Sequence, residues 1–273
     1  MDENPQGVAH IVELGEAEAY ADFYHSAPAD FAARHGVRVE RIGSAVAILM
    51  PDLDAMLFNR VMGLGVREPA TATMVDDLVA MYQRAGIQNW AVQLNPAAQH
   101  SELPAWLEAR GLARTDDWPK MIRGVEPPPA IRTDLRIECI GPDRAPAFAQ
   151  VLCGGFGMPD WLSPWAEATI SHAGWRHYLA FDDDKPVATG GLFVRHGIGW
   201  LGMATTLTSH RGRGAQSALM AHRIRDGIAL GCRGLITETG QDTPEQPNPS
   251  YHNMLRTGFK LAYQRANYMP ASA

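Results

Sequence analysis

The stretch of sequence that decides the fold of this chain is WLGMATTLTSHRGRGAQSALM, residues 200–220. The apolar segment 199–206 predicts a strand, and the segment 214–230 predicts a long amphipathic helix closed by a glycine. The first turn of a helix has unpaired main-chain N–H groups and carries about half a positive charge. Gly212 and Gly214 have no Cβ and therefore let an anion approach the backbone closely. We predict that this loop binds a pyrophosphate.

Other glycine-rich loops fit the stretch less well. A dinucleotide-binding G-x-G-x-x-G fingerprint needs a third glycine where Ser217 stands, and a P-loop needs a Gly-Lys-Ser/Thr sequence that this loop lacks. A serine hydrolase is disfavoured too, because Ser217 and His222 lie on one predicted helix without a G-x-S-x-G elbow. Because the third glycine is missing, a dinucleotide-dependent oxidoreductase is also disfavoured.

The rest of the second half alternates between strands and helices. We predict strands at 135–140, 176–181, 187–194 and 235–238, helices at 142–154, 161–173 and 248–257, and a terminal strand or hairpin at 259–268. This order predicts an α/β (α+β) fold in which helices flank a mixed central sheet.

Three consecutive prolines, Pro127 to Pro129, indicate a connector between two domains. Such a run lacks main-chain donors and favours an extended, semi-rigid form. We predict a first domain at 1–124, a Pro-rich linker at 125–131 and a second domain at 132–273.

The first half of the sequence contains the same order of helices and strands as the second half, in a degenerate form. A helix at 73–85, a strand at 90–94 and a helix at 101–109 follow one another, with glycines after both helices. Those glycines are 25 residues apart, and the corresponding pair, Gly231 and Gly258, are 27 apart. This spacing favours a tandem duplication.

The segment TLTSHRGRGAQSAL, 206–219, resembles the signature of the GNAT superfamily of acetyltransferases, R/Q-x-x-G-x-G/A before a helix. A second GNAT feature, a helix ending in Gly-Phe, is matched at Gly258-Phe259, 44 residues after Gly214. Gln216 stands where the family usually has glycine or alanine, and Thr208 where it usually has proline. The resemblance covers about residues 132–270 and implies a tandem protein with a degenerate first GNAT-like domain.

The resemblance also implies a binding site for acetyl-CoA without a metal. The backbone of one strand end would pair with the pantetheine arm, and the loop would hold the pyrophosphate. Asn253 would hydrogen-bond the cosubstrate or serve as a polar residue on a helix face. The implied cosubstrate-binding residues are Ala204, Thr205, Thr206, Arg211, Gly212, Arg213, Gly214, Ala215, Gln216 and Asn253. Arg211 and Arg213 are expected to add positive charge.

The catalytic acid of the family is missing from its usual place. A tyrosine often stands four residues before the Gly of Gly-Phe, but here that residue is Met254. Tyr251, one helical turn earlier, is the nearest substitute, with a packing role as the alternative. Glu238 ends a predicted strand and is either a base that acts through water or a solvated strand end.

The first half lacks the anion-binding loop. The matching segment is VREPATATM, 66–74, preceded by a short strand within 59–65. Glu68 would repel a phosphate and Pro69 has no amide N–H. We therefore predict that the first domain binds no CoA and walls the substrate cleft or supports the fold.

The overall composition argues against several classes of binding partner. The net charge of −6 without a basic run argues against nucleic acid, and no apolar run is long enough to cross a membrane. Three scattered cysteines, without zinc spacing, and an acidic start favour a cytoplasmic protein without a metal. The sequence leaves the oligomeric state open, including a homodimer.

These observations predict an N-acetyltransferase. It would move an acetyl group from acetyl-CoA to a primary amine of a small molecule or peptide by direct attack in a ternary complex, since no cysteine occupies a plausible nucleophile position. The alternative is a non-catalytic module that binds acyl-CoA as a sensor or partner protein, which Met254 favours.

Overall fold

The computed structural model describes residues 5–271, which form two compact units. The first unit comprises the described residues up to His25, Ala29–Lys120 and the residues from Leu261 onward. The second unit comprises Ser26–Pro28 and Met121–Lys260.

The first unit consists of four helices and a mixed sheet. Its helices are α1 (Pro5–His25), α2 (Ala29–His35), α3 (Ala72–Arg84) and α4 (Leu103–Glu108). Its strands are β1 (Arg38–Ile42), β2 (Ala45–Leu49), β3 (Arg60–Met62), β4 (Ala91–Leu94), most of β5 (Leu112–Arg123) and β11 (Lys260–Pro270). They lie in the order β1-β2-β3-β4-β11-β5, and β3 runs parallel to β4.

The second unit is built in the same manner. Its strands are β6 (Arg136–Ile140), β7 (Trp175–Asp182), β8 (Lys185–Arg195), β9 (Ile198–Thr206) and β10 (Gly234–Glu238), in the order β10-β9-β8-β7-β6. The helices are α5 (Ala145–Phe156), α6 (Ser163–Ala168), α7 (Ala215–Ala229) and α8 (Pro249–Arg256). β6 to β9 form an antiparallel meander, and β9 pairs with β10 in parallel.

The repeated order predicted from the sequence is present in both halves of the chain. In each, a parallel strand pair is joined by a crossover helix, α3 between β3 and β4 and α7 between β9 and β10. A short helix and a long strand follow in each case. The predicted α/β fold with a mixed sheet flanked by helices is therefore confirmed.

The terminal strand β11 belongs to the first unit and not to the second, where the sequence predicts it. The domain predicted at 132–273 includes it, but β11 pairs antiparallel with β4 in the register Ala266↔Leu94 and Tyr268↔Val92. Strand pairing is a long-range choice that hydrophobic periodicity does not encode. The first unit accordingly contains residues from both ends of the sequence.

The helix predicted at 161–173 is interrupted. α6 covers only Ser163–Ala168, and 3₁₀ turns at Asp160–Leu162 and Thr169–Ser171 flank it. Pro164 occupies its first turn and Gly174, with φ of +87°, closes the segment. The segment still buries Trp165 completely.

A neutral histidine lies in the core of the second unit. The Thr169 hydroxyl donates to the Ala166 carbonyl at 2.8 Å, so it accepts from Nε2–H of His177 at 3.0 Å. The other ring nitrogen, Nδ1, is buried without a hydrogen-bond partner. Burial lowers the pKa of His177 to about 3, because the charged ring would be cut off from solvent and a proton on Nδ1 would have no acceptor.

We expect this histidine to make the second unit acid-sensitive. The unfolded chain takes up a proton near pH 6.5 and the folded chain does not, so stability falls as pH drops from about 6.5 toward 3. In urea unfolding at pH 7 and pH 5, His177→Leu should lose less stability on acidification than the native chain. An equal loss in both proteins would contradict this assignment.

Candidate active site

The strands β9 and β10 part in the middle of β9. Their parallel register runs from Gly234↔Ile198 to Ile236↔Trp200, and one further link joins Thr237 Oγ1 to the Leu201 carbonyl at 2.8 Å. β9 continues to Thr206, paired with β8 on its opposite edge. The last residues of β9 therefore present an edge to which an extended ligand can add.

An irregularity in β9 lies where the two strands part. The β8–β9 register shifts between Thr189 and Gly191, and Met203 has a left-handed φ of +50°. The Thr189 hydroxyl donates to the Met203 carbonyl at 2.8 Å. A bulge of this kind turns the backbone and re-aims its polar groups, often beside an active site.

The three predicted pantetheine-binding residues of β9 do not face the same way. Leu207 N–H donates to the Val187 carbonyl, and Thr205 lies opposite Thr189 in the same antiparallel ladder. Alternation along such a ladder turns the peptide groups of Ala204 and Thr206 to the edge away from β8. Ala204 and Thr206 are therefore better placed to pair with a ligand than Thr205.

The loop after β9 ends in open amides. Gly212 and Gly214 both adopt left-handed backbone, with φ of +82° and +79°, and Gly214 is the N-cap of α7. Within residues 5–271, no hydrogen bond of the chain uses the main-chain N–H groups of residues 212–217. Such a row of amides at a helix N-terminus binds anions, as the sequence predicts.

The guanidinium of Arg213 is engaged by carboxylates, contrary to its expected contribution of charge to the loop. It donates to both oxygens of Asp182, at 2.7 and 2.9 Å, and to Asp134. These hydrogen bonds hold the pKa of Arg213 above its ordinary value and lower the pKa of Asp182 to about 2. Arg213 thus contributes its amide and anchors the loop.

Two other side chains stabilise the loop region. The Thr133 hydroxyl donates to the Arg213 carbonyl at 2.8 Å, a contact that the sequence did not indicate. Gln216 donates from Nε2 to the Thr205 carbonyl at 2.7 Å and to the Thr206 hydroxyl at 3.0 Å. The glutamine that departs from the usual glycine or alanine therefore ties the start of α7 to the end of β9.

Arg211 remains the exposed cation of the loop. Its Nε lies 3.4 Å from the Thr206 carbonyl, and the residue is exposed. Ala215, the next predicted site residue after Gly214, buries its methyl group in the core of the second unit. Its contribution to a ligand is therefore confined to its amide.

The helix α8 brings Asn253 beside α7. The Asn253 side-chain oxygen accepts from the Ser217 hydroxyl at 3.1 Å and from Arg256. Within the described chain, its Nδ2 has no hydrogen-bond partner, so this amide can donate to a ligand at the start of α7. Ser217, dismissed as a nucleophile, acts here as the link between the two helices.

The candidate catalytic residues differ in their surroundings. Met254, in the place of the usual acid, is buried in the core of the second unit. Tyr251 packs partly buried against that core, with its ring edge-on to His252 at 5.9 Å. Glu238 is half-buried at the end of β10, the strand that parts from β9.

Residues 5–271 contain neither a membrane-spanning helix nor a cluster of metal-binding side chains. No helix there is long and apolar enough to span a membrane. No group of three or more histidine, cysteine or acidic side chains there has a metal-binding arrangement.

Comparison with known proteins gives a family match within the second unit. The family model described as "Acetyltransferase (GNAT) family" matches residues 149–259. A search of curated protein sequences found no significant match.

Solved structures share the fold of nearly the whole chain. A GCN5-related N-acetyltransferase from Kribbella flavida superposes with a TM-score of 0.65 at 15% identity, covering 96% of each chain. One from Sphaerobacter thermophilus gives a TM-score of 0.59 at 19% identity, covering 97% of this chain and 93% of that one. A tandem GNAT protein from the clavulanic acid biosynthesis pathway gives 0.61 at 13% identity, covering 98% and 95%.

GNAT proteins transfer an acyl group from acyl-CoA to an acceptor, and the parted strands and open loop of the second unit suit such a cosubstrate. The two-unit fold matches that of a tandem member. The second unit therefore contains a domain that matches the GNAT acetyltransferase family over residues 149–259, and the fold of nearly the whole chain is shared with a tandem GNAT protein.

Proposed function

We propose that the second unit is an N-acetyltransferase that moves an acetyl group from acetyl-CoA to a primary amine of a small molecule or peptide. The observation that carries this proposal is the row of open amides at residues 212–217, directly after the free edge of β9. The family match supports acyl transfer in general. The amine acceptor and the acetyl group are the proposed specifics.

The residues offer contacts for the diphosphate and the pantetheine arm of CoA. The amides of residues 212–216 would hold the diphosphate, with the exposed guanidinium of Arg211 beside it. The edge of β9 at Ala204 and Thr206 would pair with the amide groups of pantetheine. Asn253 would donate from Nδ2 to the same molecule.

The protonation state of the three cysteine thiols favours direct attack by the amine over a covalent acetyl-cysteine intermediate. Burial raises the pKa of the thiols of Cys153 and Cys232, and partial desolvation raises that of the exposed Cys139, which favours the protonated thiol near neutral pH. A protonated thiol is a poor nucleophile, so an acetyl-cysteine is disfavoured. The amine would attack the thioester carbonyl in a ternary complex, its proton would pass through water to a base, and the C–S bond would break to release CoA.

Proton transfer is assigned to two side chains of the second unit. Glu238, at the end of β10 where the strands part, would take the amine proton through water. Tyr251 would donate a proton to the departing sulfur, since the buried Met254 has none to give. Among the described residues, the Tyr251 hydroxyl has no hydrogen-bond partner, which leaves its proton available.

Replacing these two residues should lower kcat and leave the affinity for CoA unchanged. General acids and bases contribute about 10²- to 10⁴-fold, so Glu238→Gln should lower kcat about 100-fold. Tyr251→Phe keeps the ring that packs on the core and should lower kcat about tenfold, because a thiol of pKa about 8.5 leaves readily even as thiolate. His252→Phe, a change of the exposed neighbour, serves as the control. Unchanged rates would remove both residues from the mechanism.

The alternative is a non-catalytic acyl-CoA sensor, favoured by the buried methionine in the usual place of the acid. Incubation with acetyl-CoA and a panel of polyamines, amino sugars and peptides, followed by thiol release, separates the two functions. Amine-dependent thiol release supports the transferase. Tight CoA binding without thiol release for any amine favours the sensor.

We propose further that the first unit binds no CoA. Its matching helix, α3, is capped by its own Thr71, whose hydroxyl accepts from Met74 N–H at 3.2 Å. Ala70 N–H donates to the Gln99 carbonyl, and the Glu68 carboxylate accepts from Ser44 N–H at 2.6 Å. These bonds occupy donors that a phosphate would need, so calorimetry should give one CoA per chain.

A further inference from the structure

The helix α7 contains an arginine that is fully buried in the second unit. Arg223 donates from Nη1 to the carbonyls of Gly191 and Gly202, at 3.3 and 3.2 Å, and from Nε to the Leu219 carbonyl at 3.2 Å. Its Nη2 is buried without a hydrogen-bond partner. At Gly190 a Cβ would lie 3.0 Å from its Nε, so the glycine makes room for the guanidinium.

The charge of this arginine is not balanced by a carboxylate. Among the described residues no ion pair involves Arg223, although α7 carries Asp226, whose carboxylate accepts from Tyr178 and lies near Arg176. A buried cation without a counter-ion costs stability, and an apolar side chain would fill a core more cheaply. The guanidinium is therefore placed for the two strand carbonyls, of Gly191 and Gly202, that its Nη1 contacts.

Those carbonyls lie at the bulge where β9 leaves β10. Gly191 and Gly202 face each other across the β8–β9 register shift, and Met203 follows with its left-handed φ. In a planar trans peptide the C=O and the next N–H point in opposite directions. By holding the Gly202 carbonyl toward α7, Arg223 turns the Met203 N–H away from α7.

We propose that Arg223 is a positioning residue that aims the Met203 N–H at the thioester carbonyl oxygen of acetyl-CoA, an assignment that rests on the proposed function. When the amine attacks the carbonyl carbon, the carbonyl electron pair moves to oxygen, where an aimed N–H stabilises it. The pair then returns, the C–S bond breaks, and the amine proton leaves to water or Glu238. The buried positive charge behind the peptide strengthens the same polarisation.

The direct test is the carbonyl stretch of bound acetyl-CoA. [1-¹³C]acetyl-CoA gives an isotope-edited infrared band whose frequency falls when an N–H polarises the carbonyl, and no acceptor amine is needed. We expect a lowered frequency in the native chain and a return toward the solution value in Arg223→Met. Arg223→Lys, which keeps the charge but donates from one nitrogen, should be intermediate. Arg225→Met, an exposed change on the same helix, should match the native chain.

Two further measurements separate positioning from a structural role. Calorimetry with CoA lacking the acetyl group should give a Kd within about threefold of the native value, since the diphosphate site is untouched. With an amine acceptor in hand, kcat should fall about 100-fold, the usual effect of a displaced oxyanion donor, while KM for acetyl-CoA stays constant. Gly190→Ala keeps the arginine but presses on its Nε, and it serves as the variant if Arg223→Met does not fold.

The outcomes are distinct. A native-like carbonyl frequency in Arg223→Met, or in Gly190→Ala if it replaces that variant, overturns the assignment. Loss of CoA affinity together with the frequency shift also overturns it, because Arg223 would then support the whole site. If the native chain itself does not bind CoA, the proposed function fails and the assignment that rests on it is overturned as well; binding with a native-like frequency in the variant overturns the assignment alone.

Discussion

Replacing Gly212 with aspartate is expected to raise the Kd for CoA at least about 100-fold, or about 2.7 kcal/mol. Aspartate is among the residues that tolerate a left-handed backbone, such as the φ of +82° at this position, and nothing lies within 4 Å of the added Cβ. The fold should therefore survive. The new carboxylate would face the diphosphate at close range, where two unit charges repel by about 4 kcal/mol at an effective dielectric constant of about 20.

The chain offers a matched control at the other end of the same helix. Gly231 follows α7 with φ of +80° and also has nothing within 4 Å of an added Cβ. Gly231→Asp therefore imposes the same backbone change without a phosphate nearby. Calorimetry with CoA should show native affinity for this variant.

Charge and shape can be separated at the same position. Gly212→Asn has the size of the aspartate without its charge and should weaken CoA binding by only about tenfold, through the added Cβ. The excess effect of aspartate should shrink in high salt, because exposed charges are screened. Equal Kd values for Gly212→Asp and Gly231→Asp would remove the diphosphate from residues 212–216.

The second large effect is expected in the core of the first unit. Arg265 on β11 is completely buried and binds two carboxylates of α1, Glu13 at 3.2 Å and Glu16 at 3.0 Å. Both carboxylates are buried too, and Lys120 on β5 binds Glu16. Arg265→Met removes the shared cation and leaves buried negative charge, which typically costs about 3–5 kcal/mol.

The measurement is urea unfolding followed by circular dichroism. With a slope near 2 kcal/mol per molar urea, the midpoint of the first unit should fall by about 2 M. The two units can unfold in separate transitions, so the transition that shifts identifies the unit.

An exposed ion pair of the same unit provides the control. Arg41 on β1 contacts Glu18 on α1 at 3.2 Å, the same distance as the Arg265–Glu13 pair, but its side chain is about half exposed. Exposed pairs contribute about 0–1 kcal/mol, so Arg41→Met should move the midpoint by less than about 0.5 M. Similar shifts for both variants would show that burial of the charges does not set their contribution.

The sequence located the helix α7 and its loop because both are local features. Glycines at 212 and 214 and the apolar strand before them suffice to define a helix start with open amides. Helix α3, predicted at 73–85, is found at Ala72–Arg84 for the same reason, with Thr71 as its cap. Long helix α1 went unpredicted, because its inward face carries Glu13 and Glu16 and so disguises the apolar pattern.

The sequence by itself therefore determined the order of most elements in the second half, the helix-strand-helix repeat in the first half and the glycine loop that begins α7. Tertiary structure decided the features that depend on residues far apart in the chain. These are the pairing of β11 with β4, the ion pair of Arg213 with Asp182, and the contact of Arg223 with the bulge of β9. The physical reason is that periodicity and glycine act over a few residues. The partner of a buried charge or of a strand edge is selected by packing, which no local pattern records.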